Sequence, residues 1–270
     1  MDEKKKRTFN YSLVIGGTIT SVIILLVLIG SFYTPYDPDA MNAAEKFAGI
    51  SWKHWMGCDN FGRDIFSRIL EGTKTTMLVA SGTVAIGVCF GTLFGALTGY
   101  YGGLLDEILM RFNDAVLAFP SILLALVFIS IMGSGKYNVM IALGIVFIPS
   151  YARIVRGEFM HCKNLDYVRS ARLMGAKDLR IMFLHILPNT APVVLSSIVI
   201  GFNNAVLAEA GMSFLGIGVQ PPDSSLGRML SEAQAFLFAA PMYAIFPGLL
   251  IVLMVLGFAL LSEGMKDFAR

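Results

Sequence analysis

The chain has 270 residues, of which 56% are hydrophobic and 15% charged, with a net charge of +2. Soluble domains carry roughly 25% charged residues, so a water-soluble globular domain is excluded, and so small a net charge makes no case for nucleic acid. Apolar runs long enough to cross a bilayer recur along the whole length, which makes this an all-α, polytopic membrane protein.

Residues 1–10 are polar and basic, with Lys4, Lys5, Lys6 and Arg7. The apolar run 11–31 is longer than a signal-peptide core and no small-x-small site follows it, so it reads as an uncleaved first span. Residues 32–73 are mixed and polar, with Pro35, Pro38, Trp52 and Trp55, and form an aqueous loop. The second span lies in 74–101, the third in 115–132 and the fourth in 137–154, with Gly133-Ser134-Gly135 breaking the third from the fourth. A charged island covers 166–189. The fifth span is 192–212, a Gly/Pro-containing loop follows at 213–241, and the sixth span is 242–261.

Six spans put both ends of the chain on one side. Basic residues choose the side: Arg153, Arg156, Lys163, Arg169, Arg172, Lys177 and Arg180 join Lys4–Arg7, Lys266 and Arg270 on one face. Two loops of the opposite face hold only Lys136 and Arg228, and its third, 32–73, mixes basic with acidic residues. The positive-inside rule therefore places the two ends and the island in the cytoplasm.

The second span repeats glycine every four residues at Gly87, Gly91, Gly95 and Gly99. At helical spacing this is one flat stripe, suited to close helix packing within the chain or against a second subunit. The island reads as helix, turn, helix. Tyr167, Ala171 and Met174 make one apolar edge, and Gly175 stands where a helix end wants positive φ. Asp178 is placed to cap a second helix whose apolar face is Leu179, Met182, Phe183, Ile186 and Leu187, with Pro188 ending or kinking it. Such a hairpin could lie on an anionic leaflet or dock into a groove on a cytoplasmic protein.

Few residues suggest chemistry. Asn203, Asn204 and Glu209 are polar groups in the fifth span and could line a path; Glu209 could equally sit at the outer interface, bonded into the next loop. His54 and Cys58 are spaced to share a face, but two soft ligands do not make a metal site. Asp59, Arg63 and Asp64 suit ties within their loop or contacts with an outside partner, and Asp106, Glu107, Arg111 and Asp114 suit a solvated turn between spans two and three or an auxiliary contact with a cytoplasmic partner. Cys58, Cys89 and Cys162 form no disulfide framework. No Walker A loop is present: the Gly72-Thr73-Lys74-Thr75 and Gly135-Lys136-Tyr137 stretches lack its Gly-Lys-Ser/Thr. A membrane enzyme would need acid, base or metal groups that converge, which the pattern does not offer, and a secondary transporter or channel would need a fuller constellation within the spans.

The island resembles the EAA signature of ATP-binding-cassette (ABC) importer permeases, with Ala171, Gly175, Leu187 and Pro188 at the motif's spacing. Arg169, Ser170 and His185 stand where that motif has Glu, Ala and Ile. HWMGCDNFGRDIFSRILEGTKTTM (54–77), GYYGGLLDEILMRFNDAVLAFPSILLAL (99–126) and LAEAGMSFLGIGVQPPDSSLGRML (207–230) are similar to segments of the dipeptide/oligopeptide/nickel permeases, second type. The resemblance implies a type I importer permease fold in a bacterial or archaeal cytoplasmic membrane. Residues 1–73 would carry the first helix and an outer loop, and 74–270 a five-helix core with a coupling loop at 158–190. Arg169, Ser170, Ala171, Arg172, Gly175, Ala176, Leu187 and Pro188 would meet the ATPase. The implied partners are a homologous second permease, two ATPases that hold ATP and Mg, and an extracytoplasmic binding protein. This chain itself would bind no cofactor, and the cargo would be peptides or nickel chelates.

Overall fold

A computed structural model describes residues 11–268, so the Lys4–Arg7 cluster and Arg270 lie outside the described residues. In chain order the helices are α1 (Tyr11–Phe32), α2 (Ile65–Tyr101), α3 (Gly103–Leu117), α4 (Ser121–Met132), α5 (Lys136–Cys162), α6 (Asp166–Leu173), α7 (Asp178–Arg180), α8 (Leu187–Phe214), α9 (Leu226–Ala233) and α10 (Met242–Phe268). A π turn over Ile181–Ile186 joins α7 to α8, so Asp178–Phe214 runs as one 37-residue helix. Five helices among the described residues are long and apolar enough to cross a bilayer, and α3 with α4, bent by 92° at their break, makes either a sixth, broken span or a re-entrant loop.

Several expected boundaries move. The second span begins at Ile65, not 74, because Asp64 caps it: its carboxylate accepts the Ser67 N–H at 2.8 Å. A division at 73/74 therefore falls inside a helix. At 1.5 Å per residue, 37 residues reach about 56 Å, well beyond a hydrocarbon core of about 30 Å. The 106–114 stretch is helical rather than a turn, since the break comes earlier, at Gly102 with φ of +68°. The third span is not one helix from 115: Pro120 cannot donate a backbone hydrogen bond and disfavours helix at Phe119, so α3 ends and α4 starts afresh.

The most extensive helix contact is α2 against α5. Gly87, Gly91, Gly95 and Gly99 all face α5. A Cβ at Gly91 would fall 2.5 Å from Tyr151 Cβ, and one at Gly95 2.5 Å from the Ala152 carbonyl oxygen. Tyr151 is 3% exposed; its ring covers Gly87 and its hydroxyl lies over Gly201 of α8, so one side chain gathers three helices. α1 packs on α10 and α2 and buries only Gly16, Thr20, Ile23 and Gly30, as an apolar helix with a lipid face should.

Side chains divide the ends of the helices into two poles. At one, α6 and the π turn meet the C-terminal ends of α2 and α5. At the other, the 33–64 loop folds over the start of α2 and onto α9 and α10. There Arg63 Nε and Arg68 reach Asp59 at 2.6 and 2.8 Å, and both arginines reach Glu232 at 2.9 Å. Tyr243 Oη also donates to Glu232, at 2.8 Å. Burial opposes ionisation of Glu232, but Arg68 outweighs it and holds the carboxyl down at about 2. His54 and Cys58 belong to this folded loop: His54 Nδ1 lies 2.8 Å from Asp64 Oδ1, and all three cysteines are free.

Gly91→Val should lower the thermal midpoint sharply, since overpacking costs about 1–3 kcal/mol. Gly157→Ala, in α5 with open space around it, should raise stability by about 0.5–1 kcal/mol. Thermal unfolding of the detergent-purified chain measures both, and equal midpoints would contradict the packing assigned to the stripe.

Candidate functional site

The segment 163–189 is built from a short helix, a glycine turn and a π turn. α6 ends in a Schellman motif. The Gly175 N–H donates to the Arg172 carbonyl at 3.0 Å and the Ala176 N–H to the Ala171 carbonyl at 3.1 Å. Gly175 has φ of +83°, which a side chain would strain. Asp178 does not cap the next helix. Its carboxylate instead accepts the Tyr100 hydroxyl at 2.6 Å. Arg172 donates to the same hydroxyl at 3.1 Å, and Lys163 Nζ donates to the Gly99 carbonyl at 2.8 Å. Three links thus hold the segment to the end of α2.

Its apolar faces differ from the expected ones. Val168 and Ala171 are buried, whereas Tyr167 and Met174 are exposed. Beyond the turn Ile181, Met182 and Ile186 are fully buried, while Leu179 and Phe183 are not. The π turn explains the second shift: one extra residue per turn rotates every later side chain away from a 3.6-residue count. Pro188 neither ends nor breaks the helix, because the wider π turn precedes it and Asn189 Nδ2 satisfies the His185 carbonyl at 2.6 Å.

What remains outward is a tip. Leu173 is 89% exposed and Met174 81%, with Leu179 beside them. Arg169, Ser170, Arg172, Lys177 and Arg180 are exposed around it. Arg169 reaches Asp166 only at 3.5 Å, both side chains being largely in solvent. Ala176 and Leu187 are half-buried and Pro188 is exposed. At this pole Arg156 holds Asp106 through two bonds of 2.5 and 2.7 Å, and Arg153 holds Asp114. Asp106 thus fastens α3 to α5 within a helix, while Glu107, Arg111 and Asp114 stay largely in solvent.

A groove of about 520 Å³ opens between α3, α4, α5 and α8. Asn204, Ser150, Ser197 and Gly201 give it a polar floor among Phe119, Ile154 and Leu207. The Tyr151 hydroxyl sits at its wall without a hydrogen-bond partner. Asn203 is half-buried and does not line it. Glu209 follows the lining residues Leu207 and Ala208 but is fully buried and does not line the groove. Thr76 Oγ1 donates to one carboxylate oxygen at 2.9 Å and Ser213 Oγ to the other at 2.7 Å. Ser213 Oγ in turn accepts the Val219 N–H at 3.0 Å, so Glu209 ties α8 to α2 and to the next loop.

Sequence reasoning missed Tyr100, Lys163 and Arg68. Tyr100 had one legible sign, an aromatic pair at the end of a span just before Gly102-Gly103. Tyr100→Phe should free the segment from α2. Amide exchange over 166–182 should accelerate roughly tenfold while exchange in α5 is unchanged; unaltered exchange would show that the hydroxyl bonds do not anchor it.

Residues 91–268 match the family described as binding-protein-dependent transport system inner membrane component. The chain is 43% identical over 259 residues to the glutathione transport system permease protein GsiD of Pectobacterium atrosepticum, covering 94% of this chain and 85% of that protein. It is 38% identical over 264 residues to the dipeptide transport system permease protein DppC of Haemophilus influenzae, covering 96% and 90%. Among solved structures, a MetNI methionine ABC transporter in inward-facing conformations superposes with a TM-score of 0.56 at 18% identity, over 75% of this chain and 94% of that one. An amino acid ABC transporter crystallised with histidines gives 0.54 at 20%, over 74% and 94%.

Proposed function

The chain belongs to the binding-protein-dependent transport inner-membrane family, and from that premise we propose that it forms half of a path for small peptides and is driven through its 166–180 tip. It is a multi-pass inner-membrane permease subunit of an ABC importer, a class that works with ATPase and substrate-binding partners. In the proposed assembly a homologous second permease faces the groove, and two ATPases carry the ATP and Mg. Names of relatives that specify dipeptide and glutathione support peptides over nickel chelates.

The observation that carries this reading is an exposed apolar tip on a rigidly seated base. Leu173, Met174 and Leu179 have no apolar cover, while Val168, Ala171, Ile181 and Met182 are locked against α2 and α5. Apolar anchors within a basic rim suit a groove with acidic edges on a cytoplasmic protein. Arg169, standing where the family's signature has Glu, then meets that edge. Because Asp178–Phe214 is one helix, a push on the tip passes along it to Ser197, Gly201 and Asn204 at the groove. Asn204, exposed in the groove, is the proposed contact for passing cargo. Asn203 and Glu209 are proposed to hold α8 instead. The basic residues around the tip support a cytoplasmic position for this pole.

Leu173→Glu alters a side chain that packs on nothing, so it should insert and fold normally. We expect it to abolish substrate-stimulated ATP hydrolysis of the assembled importer by tenfold or more; wild-type stimulation would overturn the docking role. Lys177→Cys, in a background without the natural cysteines, should react with impermeant thiol reagents only in inverted vesicles. Labelling of intact cells would reverse the orientation.

A further inference from the structure

At the pole opposite the tip lies a second cavity, of about 350 Å³, which shares no residue with the groove. Gly30 creates it. An added Cβ there would fall 2.9 Å from Leu70 Cβ and 3.1 Å from the Leu70 carbonyl oxygen, so the end of α1 lies directly on α2. That contact sets Phe32 and Tyr33 beside Glu71 and Lys74, with Asp39 and 222–224 closing the sides. The volume falls within the range of small-molecule sites, roughly 300–1,000 Å³.

Its depth and its charges define the ligand. α1 is 22 residues long, about 33 Å, so it is spent at Phe32, and the cavity opens at the level of the headgroups. Phe32 is 89% exposed and Tyr33 65%, the arrangement of an interfacial aromatic pair. Lys74 is partly exposed and has only a 3.3 Å contact with Glu71, which leaves donors for a phosphate. Asp39, Glu71 and Asp223 line the same space, although Asp223 is engaged by Lys136 at 2.6 Å. Ser224, a residue 2% exposed, closes the wall behind these charges.

We propose that this cavity binds the headgroup of a zwitterionic phospholipid carrying a primary amine, phosphoethanolamine in chemistry. Its phosphate meets Lys74, and its ammonium group meets Asp39 and Glu71. A purely anionic headgroup would face these carboxylates uncompensated. A choline headgroup has no N–H to donate to them. The acyl chains leave over Phe32, along the lipid face of α1. This site is independent of the peptide path and stands or falls without it.

The test is native mass spectrometry of the detergent-purified full-length chain titrated with phosphatidylethanolamine, phosphatidylcholine or phosphatidylglycerol of matched acyl chains. One phosphatidylethanolamine should be retained at least tenfold more tightly than either other lipid. Asp39→Asn and Lys74→Gln should each erase that preference. Asp39 is exposed, so its replacement cannot act by unfolding the chain. Equal retention of the three lipids, or an undiminished preference in both variants, would overturn the proposal. Displacement of the lipid by equimolar soluble phosphoethanolamine would also overturn it, in favour of a water-soluble zwitterion.

Discussion

Everything else in this molecule is arranged around the close approach of α2 and α5. Lipid offers no hydrophobic reward for bringing two apolar helices together, so contact has to come from shape. Four glycines remove the side chains that would hold the helices apart, and Tyr151, Val155 and Phe159 fill the space they leave. Tyr151 then extends past α2 to Gly201, and the same ring that seals one interface sets the position of α8. The groove is the gap left where α3 and α4, broken at Pro120, do not follow α5 as closely.

Each pole solves the problem of charge near an apolar body in its own way. At the pole of the 33–64 loop, charges are buried and matched: Arg63 and Arg68 share Asp59 and Glu232, and Tyr243 completes the set. Removing one partner from such a network leaves an uncompensated charge, which makes it a rigid clasp between distant parts of the chain. At the other pole the charges are mostly exposed. Asp106 and Arg156 are partly buried and fasten α3, while Asp178, itself exposed, fastens the 166–180 segment through Tyr100. One end is therefore a fixed cap and the other a seated but solvent-facing tip.

Rigidity of the tip's base matters more to a coupling role than the tip's own sequence. Hydrogen bonds from Tyr100, Arg172 and Lys163 register the segment on α2, and Ile181, Met182 and Ile186 wedge it under α5. The π turn keeps the helix unbroken into α8 despite Pro188 and Pro192. The Gly175 turn stands between Leu173 and Met174 and the helix, Asp178–Phe214, that reaches the groove.

The chain's own residues settled the features that depend on local chemistry. Apolar runs marked the crossings, Gly133 to Gly135 separated α4 from α5, and Gly175 marked a positive-φ turn, because these are properties of a few consecutive residues. The polar island and its family likeness were equally legible. What waited for the tertiary structure was every feature set by a distant partner. Asp178 reads as a helix cap until Tyr100 is seen 78 positions away. Asp106 reads as solvated until Arg156 is seen to reach it. Glu209 could have faced a path or a loop, and Thr76 and Ser213 decided for burial. The π turn left no mark in the hydrophobic periodicity, so the buried face of 181–187 could not be phased from a 3.6-residue repeat. Local rules choose a conformation, but which side of it is buried, and which charge is neutralised, is fixed by what packs there.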